Sequence, residues 1–133
     1  MGRLAEADIG WRSHWLQQAL AEDPSVAPPL EEATTADVCI VGGGYLGLWT
    51  AIRLREANPS LDVVIVERDI CGGGPSGRNS GMLLSAWTKL AALAALRGEA
   101  EALRMVRLTT EAIAGVAGFC ADNGIDCWFD PVG

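Results

Sequence analysis

The sequence predicts an α/β fold: a partial Rossmann-like βαβ unit, followed by helices. Three observations carry this expectation. Two runs of small or branched apolar residues, in "DVCIV" and "LDVVIV", flank a helix-spaced segment. The turn after the first run reads G-G-G-Y-L-G and fits G-x-G-x-x-G with Gly42, Gly44 and Gly47. An acid, Glu67, closes the second run twenty residues past Gly47.

The elements follow in order. Residues 1–35 form a mixed lead-in. "GWRSHWLQQAL" reads as a short helix whose Trp11 and Trp15 pack on some surface, and "EDPSVAPPLEEATT", rich in Pro and acid, reads as extended. Val38–Val41 reads as a buried strand, apolar on both faces as in a parallel sheet. "YLGLWTAIRLREANP" places Leu48, Ala51, Ile52 and Leu54 at helical spacing and stops at Asn58-Pro59. "LDVVIVERD" is a second buried strand. A second glycine-rich stretch, "CGGGPSGRNSGM", follows, and residues 36–84 close the βαβ part. Residues 85–133 are Ala/Leu-rich and predict two helices bent near Gly98, the later one carrying an apolar face of Leu103, Val106, Leu108, Ile113 and Phe119. Asn123-Gly124 stops it, and "IDCWFDPVG" starts a strand.

Composition narrows the function classes. Of 133 residues, 50% are hydrophobic, so a core is possible. A net charge of −7 argues against nucleic acid, whose binders replace phosphate counterions with basic patches. It offers no polybasic signal for an anionic membrane. No run approaches the roughly eighteen apolar residues of a membrane span. The opening residues lack a basic-then-apolar leader, so a cytoplasmic location is expected. Cys39, Cys71, Cys120 and Cys127 form no C-x-x-C pair, and His14 is the only histidine. Zinc ligation and Cys-His or Ser-His-Asp catalysis are therefore not expected; no metal ligand and no catalytic residue is assigned.

The first motif has a physical task for each glycine. Gly42 permits the tight turn out of the strand, Gly44 lets a diphosphate approach the backbone, and Gly47 lets the helix pack close, with Ala51 one turn on. The helix N-terminus offers free N–H groups and partial positive charge. Glu67 is placed to accept from a ribose diol and to disfavour the extra phosphate of NADP. The unit reads only the ADP half, which NAD and FAD share.

The second glycine loop favours the longer cofactor. Small residues let a flavin chain pass close to the backbone, and Ser76, Arg78, Asn79 and Ser80 offer donors to phosphate oxygens or the flavin edge. "DVCIVGGGYLGLWTAIRLREANPSLDVVIVERDICGGGPSGRNSG" resembles the N-terminal FAD-binding segment of the D-amino-acid oxidase, glycine oxidase and sarcosine oxidase superfamily, in the branch that includes gamma-glutamylputrescine oxidases. That branch has a loop like G-A-S-G-R-N-G-G, matched by Gly74, Ser76, Gly77, Arg78, Asn79 and Gly81; Pro75 stands for its Ala and Ser80 for a Gly. Pro75 removes an N–H, which weakens binding if that group touches the cofactor.

The resemblance implies FAD and oxidation of a C–N bond in a small-molecule amine or amino acid, with hydride passing to the flavin. It implies a cofactor-binding set of Gly42, Gly44, Gly47, Glu67, Arg68, Ser76, Gly77, Arg78, Asn79, Ser80 and Gly81. It also implies that this chain is the N-terminal fragment of a longer oxidoreductase. A truncated substrate domain follows, a second chain is one source of the missing part, and the isolated chain is expected to be poorly stable and to bind FAD weakly, if at all. Two other readings stay open: a small NAD- or ADP-binding module, and a noncatalytic remnant completed by a partner.

Overall fold

The computed structural model describes residues 2–3 and 12–131. They fall into two units, Met1–Ser80 and Gly81–Gly133.

In the first unit, the two-residue strand β1 (Gly2–Arg3) pairs antiparallel with β2 (Ser25–Val26). Between them lies α1 (His14–Glu22), the helix expected from "GWRSHWLQQAL". Ser13 caps it, its hydroxyl accepting from the Leu16 N–H at 3.4 Å. Leu20 is its buried anchor. Trp15 is largely exposed, with His14 against its ring edge-on; Trp11 lies outside the described residues.

The βαβ unit forms as expected: β3 (Val38–Val41), α2 (Tyr45–Ala57) and β4 (Val63–Val66). The strands are parallel, with Val38 opposite Val63 and Val41 opposite Val66. Their starts are pinned twice. The Val38 N–H donates to the Asp62 carbonyl at 3.1 Å, and the Asp62 N–H donates to the Asp37 carboxylate at 2.9 Å. Leu48, Ala51, Ile52 and Leu54 are half-buried in α2, as their spacing predicts, and so are Gly47 and Trp49. The helix stops at Asn58, whose side chain accepts from both the Ser60 N–H and hydroxyl.

The strands, expected to be buried on both faces, are not: β4 is half-buried throughout and β3 alternates between half-buried and exposed. Val41 is 86% exposed. Sequence encodes the surface a strand is made to bury, whereas burial depends on the layers present. β3 and β4 form a two-stranded sheet, and no further strand pairs with them among the described residues.

The second unit is a helical hairpin. A 3-10 turn (Ala86–Lys89) leads into α3 (Leu90–Arg97), and Gly98, at φ +83°, redirects the chain into α4 (Glu99–Asp122). The bend lies where the sequence places it. Ala102 and Val106 are the fully buried residues. The Ala86 N–H and Trp87 indole N–H reach the Thr109 and Thr110 hydroxyls at 2.9 and 3.0 Å, tying the turn to α4. Leu108, assigned to the apolar face, is instead 47% exposed; Ala102, one turn before Val106, takes the inner position. Val106→Ala is expected to destabilise this unit by about 2 kcal/mol, from lost transfer energy plus the cavity left. Urea unfolding followed by helical circular dichroism measures it, and an unchanged midpoint contradicts the packing described.

Helix α4 ends as predicted at Asn123-Gly124. Gly124 has φ +64°, and the Ile125 N–H closes back on the Cys120 carbonyl at 2.8 Å. Burial pushes the Cys120 thiol pKa up, and a hydrogen bond with Cys127 adds to this. The strand expected in "IDCWFDPVG" is a second correction: Ile125–Pro131 is irregular. A strand exists through its ladder, and no strand among the described residues pairs with this segment. No helix among the described residues is long and apolar enough to cross a membrane.

Candidate functional site

Two hexapeptides, Gly42–Gly47 and Gly72–Gly77, carry the site, and both read G-G-G-x-x-G. They are built alike. The first glycine of each has positive φ, +105° at Gly42 and +78° at Gly72. The last of each has no room for a side chain: a Cβ on Gly47 would fall under 3.0 Å from the Gly42 carbonyl oxygen, and one on Gly77 equally close to that of Gly72. The middle glycines match too, Gly44 at φ −85°, ψ −175° and Gly74 at φ −81°, ψ −154°. The first turn opens the 13-residue helix α2; the second opens a single 3-10 turn, Pro75–Gly77. Pro75 thus occupies the first position of a helical turn. Its missing N–H would have had no partner within that turn, and its fixed φ suits the start.

The two turns pack on each other. The Gly72 N–H donates to the Gly43 carbonyl at 2.9 Å. Gly43 is constrained as well, because a Cβ there would fall under 3.0 Å from the Cys71 sulfur. Nothing local in the sequence marks this constraint, since the neighbour lies 28 residues further along the chain. The Tyr45 N–H, first in α2, donates to the Ser76 hydroxyl oxygen at 3.0 Å. Asn79 donates from its amide nitrogen to the Tyr45 hydroxyl at 3.0 Å and to the Ser76 carbonyl at 2.5 Å. Arg78 donates to the Gly73 carbonyl at 3.3 Å. The second loop therefore sits over the N-terminus of α2. The Leu46 and Gly47 N–H groups precede the helix's internal ladder, which begins with the Leu48 N–H on the Gly44 carbonyl at 3.0 Å.

Glu67 joins the same constellation. One carboxylate oxygen accepts from the Gly43 N–H at 2.8 Å and the other from the Asp69 N–H at 3.1 Å. These bonds, the Gly43 N–H foremost, hold its pKa below the usual carboxylate range, so it is an anion at neutral pH. Arg68 adds positive charge beside Glu67 and Asp69. Ser80 is exposed at the end of the first unit, and Gly81 opens the second with φ +78°. The structure thus brings Gly42, Gly44, Gly47, Glu67, Ser76, Gly77, Arg78 and Asn79 into one region.

Three residues of this region were not read from the sequence. Arg12 forms a two-bond pair with Asp69, Nη1–Oδ2 at 2.8 Å and Nη2–Oδ1 at 2.9 Å, and its side chain is only 3% exposed. The Ser13 hydroxyl donates to the Gly77 carbonyl. The lead-in is therefore attached to the second loop. Ser13 before a helical run is a legible cap, but nothing local marks its second partner or the destination of Arg12. The hydrogen bond from Arg12 holds the Asp69 carboxyl below its ordinary pKa. With the folded value depressed, the pair's contribution to stability is present above the ordinary aspartate range. It is lost as pH falls through the lowered folded pKa.

Comparison with known proteins gives three findings. The family described as "DAO: FAD dependent oxidoreductase" matches residues 37–133. Gamma-glutamylputrescine oxidoreductase of Escherichia coli (strain K12) is 48% identical over 60 residues, covering 45% of this chain and 14% of that protein. A probable oxidoreductase, OrdL, of Rhizobium meliloti (strain 1021) is 33% identical over 118 residues, covering 88% of this chain and 27% of that protein. The chain thus spans about a quarter or less of the length of these relatives. No solved structure matches it.

Proposed function

The chain belongs to the DAO family of FAD-dependent oxidoreductases, and on that premise we propose that it is the FAD-binding part of an enzyme oxidising a C–N bond in an amine or amino acid. The observation that carries this reading is the convergence of both glycine turns and Glu67 on the N-terminus of α2. The amine is suggested by the Escherichia coli relative, a gamma-glutamylputrescine oxidoreductase.

The residues present fit the cofactor. A Cβ on Gly42 or Gly74 meets nothing within 4 Å, and one on Gly44 meets only Ser76. These turns therefore offer bare backbone to a ligand. Gly42, Gly44 and Gly47 admit the diphosphate, and the Leu46 and Gly47 N–H groups with the helix dipole favour its charge. Glu67 accepts from ribose hydroxyls while remaining bonded to Gly43. Arg68 and the run from Ser76 through Gly77, Arg78 and Asn79 to Ser80 attend the rest of the cofactor. The Ser76 hydroxyl, accepting from Tyr45, keeps its own proton to donate. When bound, FAD supplies the hydride acceptor. The proposal assigns no catalytic residue to this chain; substrate contacts and closure over the flavin fall to further protein, in the same chain or a second one.

Titration with FAD tests this. Quenching of flavin fluorescence by the chain, with no comparable binding of NAD, is the expected result. Equal affinity for NAD and FAD would favour a generic ADP-binding module instead. Glu67→Gln keeps the shape but removes the charge and halves the acceptor capacity. It is expected to weaken FAD binding roughly tenfold, as for loss of one charge-assisted hydrogen bond. Unchanged affinity in the same titration removes Glu67 from the site.

A further inference from the structure

We propose that Arg12 is a positioning residue for the cofactor: its pair with Asp69, together with the Ser13–Gly77 bond, fixes the second glycine turn against the first. This rests on the FAD reading above.

Arginine is rarely buried unless its charge is met. Here the guanidinium fork matches a carboxylate in the two-bond geometry that lysine cannot reproduce. The pair and the Ser13 bond grip the second loop at both ends, Asp69 before the turn and Gly77 at its close. The grip is itself anchored. The Gln17 side chain donates to the Arg12 carbonyl at 2.6 Å, Ser13 caps α1, and Leu20 is buried.

From Asp69 the connection continues. Its N–H donates to one oxygen of Glu67, and the other oxygen accepts from the Gly43 N–H in the first turn. From Gly77 it continues through Ser76, which receives the Tyr45 N–H at the head of α2. Arg12 therefore acts on both turns through two short series of bonds while standing outside the glycine motifs. A freed second loop would let Ser76 and Glu67 drift from α2, and the cofactor would meet an unformed surface.

The test uses the full chain and the variants Arg12→Met, Arg12→Lys, Asp69→Asn and Ser13→Asp. Ser13→Asp keeps an α1 cap but has no proton for the Gly77 carbonyl, so it probes the loop even if the Arg12 variants fold poorly. Two quantities are read: amide hydrogen exchange without FAD, and FAD affinity by fluorescence quenching. Arg12→Met is expected to speed exchange in residues 70–78 while leaving β3 and β4 unchanged, and to weaken FAD binding about tenfold. Asp69→Asn should do the same, and the Arg12→Met/Asp69→Asn double variant no more than either alone. Arg12→Lys should recover only part of the loss.

Unaltered FAD affinity in both Arg12→Met and Ser13→Asp overturns the proposal. So does exchange that rises equally throughout the unit, which marks general destabilisation. A wild-type chain that does not bind FAD overturns the functional reading and this role with it, and is told apart because no variant is needed to see it.

Discussion

Gly47→Val is expected to abolish FAD binding and to destabilise the βαβ unit by about 3 kcal/mol, the upper part of the range for overpacking. The magnitude follows from what the new side chain meets. Even a Cβ would lie under 3.0 Å from the Gly42 carbonyl oxygen and 3.3 Å from an Ile40 methyl carbon. The oxygen is backbone, held by a turn whose N–H bonds the Val66 carbonyl at 2.8 Å. It cannot rotate aside as a side chain would. Helix α2 must tilt off β3, carrying the Leu46 and Gly47 N–H groups away from the place proposed for the diphosphate. Urea unfolding and FAD titration report the two consequences separately; a variant matching wild type in both contradicts the close approach.

Gly77→Val is expected to remove FAD binding as well, but to leave the βαβ unit standing. Its obstacle is the Gly72 carbonyl oxygen, again under 3.0 Å from the missing Cβ. The distortion enters a loop, so β3, α2 and β4 keep their contacts. Ser76 loses its place over the Tyr45 N–H, and the Ser13 bond to the Gly77 carbonyl is disturbed. The expected pattern is wild-type far-ultraviolet circular dichroism with at least roughly tenfold weaker FAD binding. If FAD affinity survives intact, the second turn is not part of the binding surface.

The two glycine variants also mark what could be read in advance. The tight turn at Gly42, the close packing at Gly47 and the acid at Glu67 were legible because their causes lie within one short βαβ stretch of chain. The bend at Gly98 and the stop at Asn123-Gly124 were legible for the same reason. The likeness of Gly72–Gly77 to Gly42–Gly47 was present in the letters. Its significance rests on backbone angles, which no side chain announces. Gly43 against Cys71, Arg12 against Asp69, and Ser13 against Gly77 join residues far apart in the chain. Local pattern carries no information on such meetings. Burial failed for a different reason: the apolar content of Val38–Val41 states what the strand is suited to bury, not what covers it.

The attachment of the lead-in has a consequence for the order of folding. The parallel register joins residues 25 apart, Val38 to Val63, whereas the Arg12–Asp69 and Ser13–Gly77 bonds close spans of 57 and 64 residues. Closing the longer span costs about 0.8 kcal/mol more in chain entropy, and that cost falls away once the strands have paired and shortened the path. The βαβ unit is thus expected to form before the lead-in docks. The second glycine turn reaches its final shape only at that closing step, so competence to bind the cofactor should emerge later in refolding than secondary structure does.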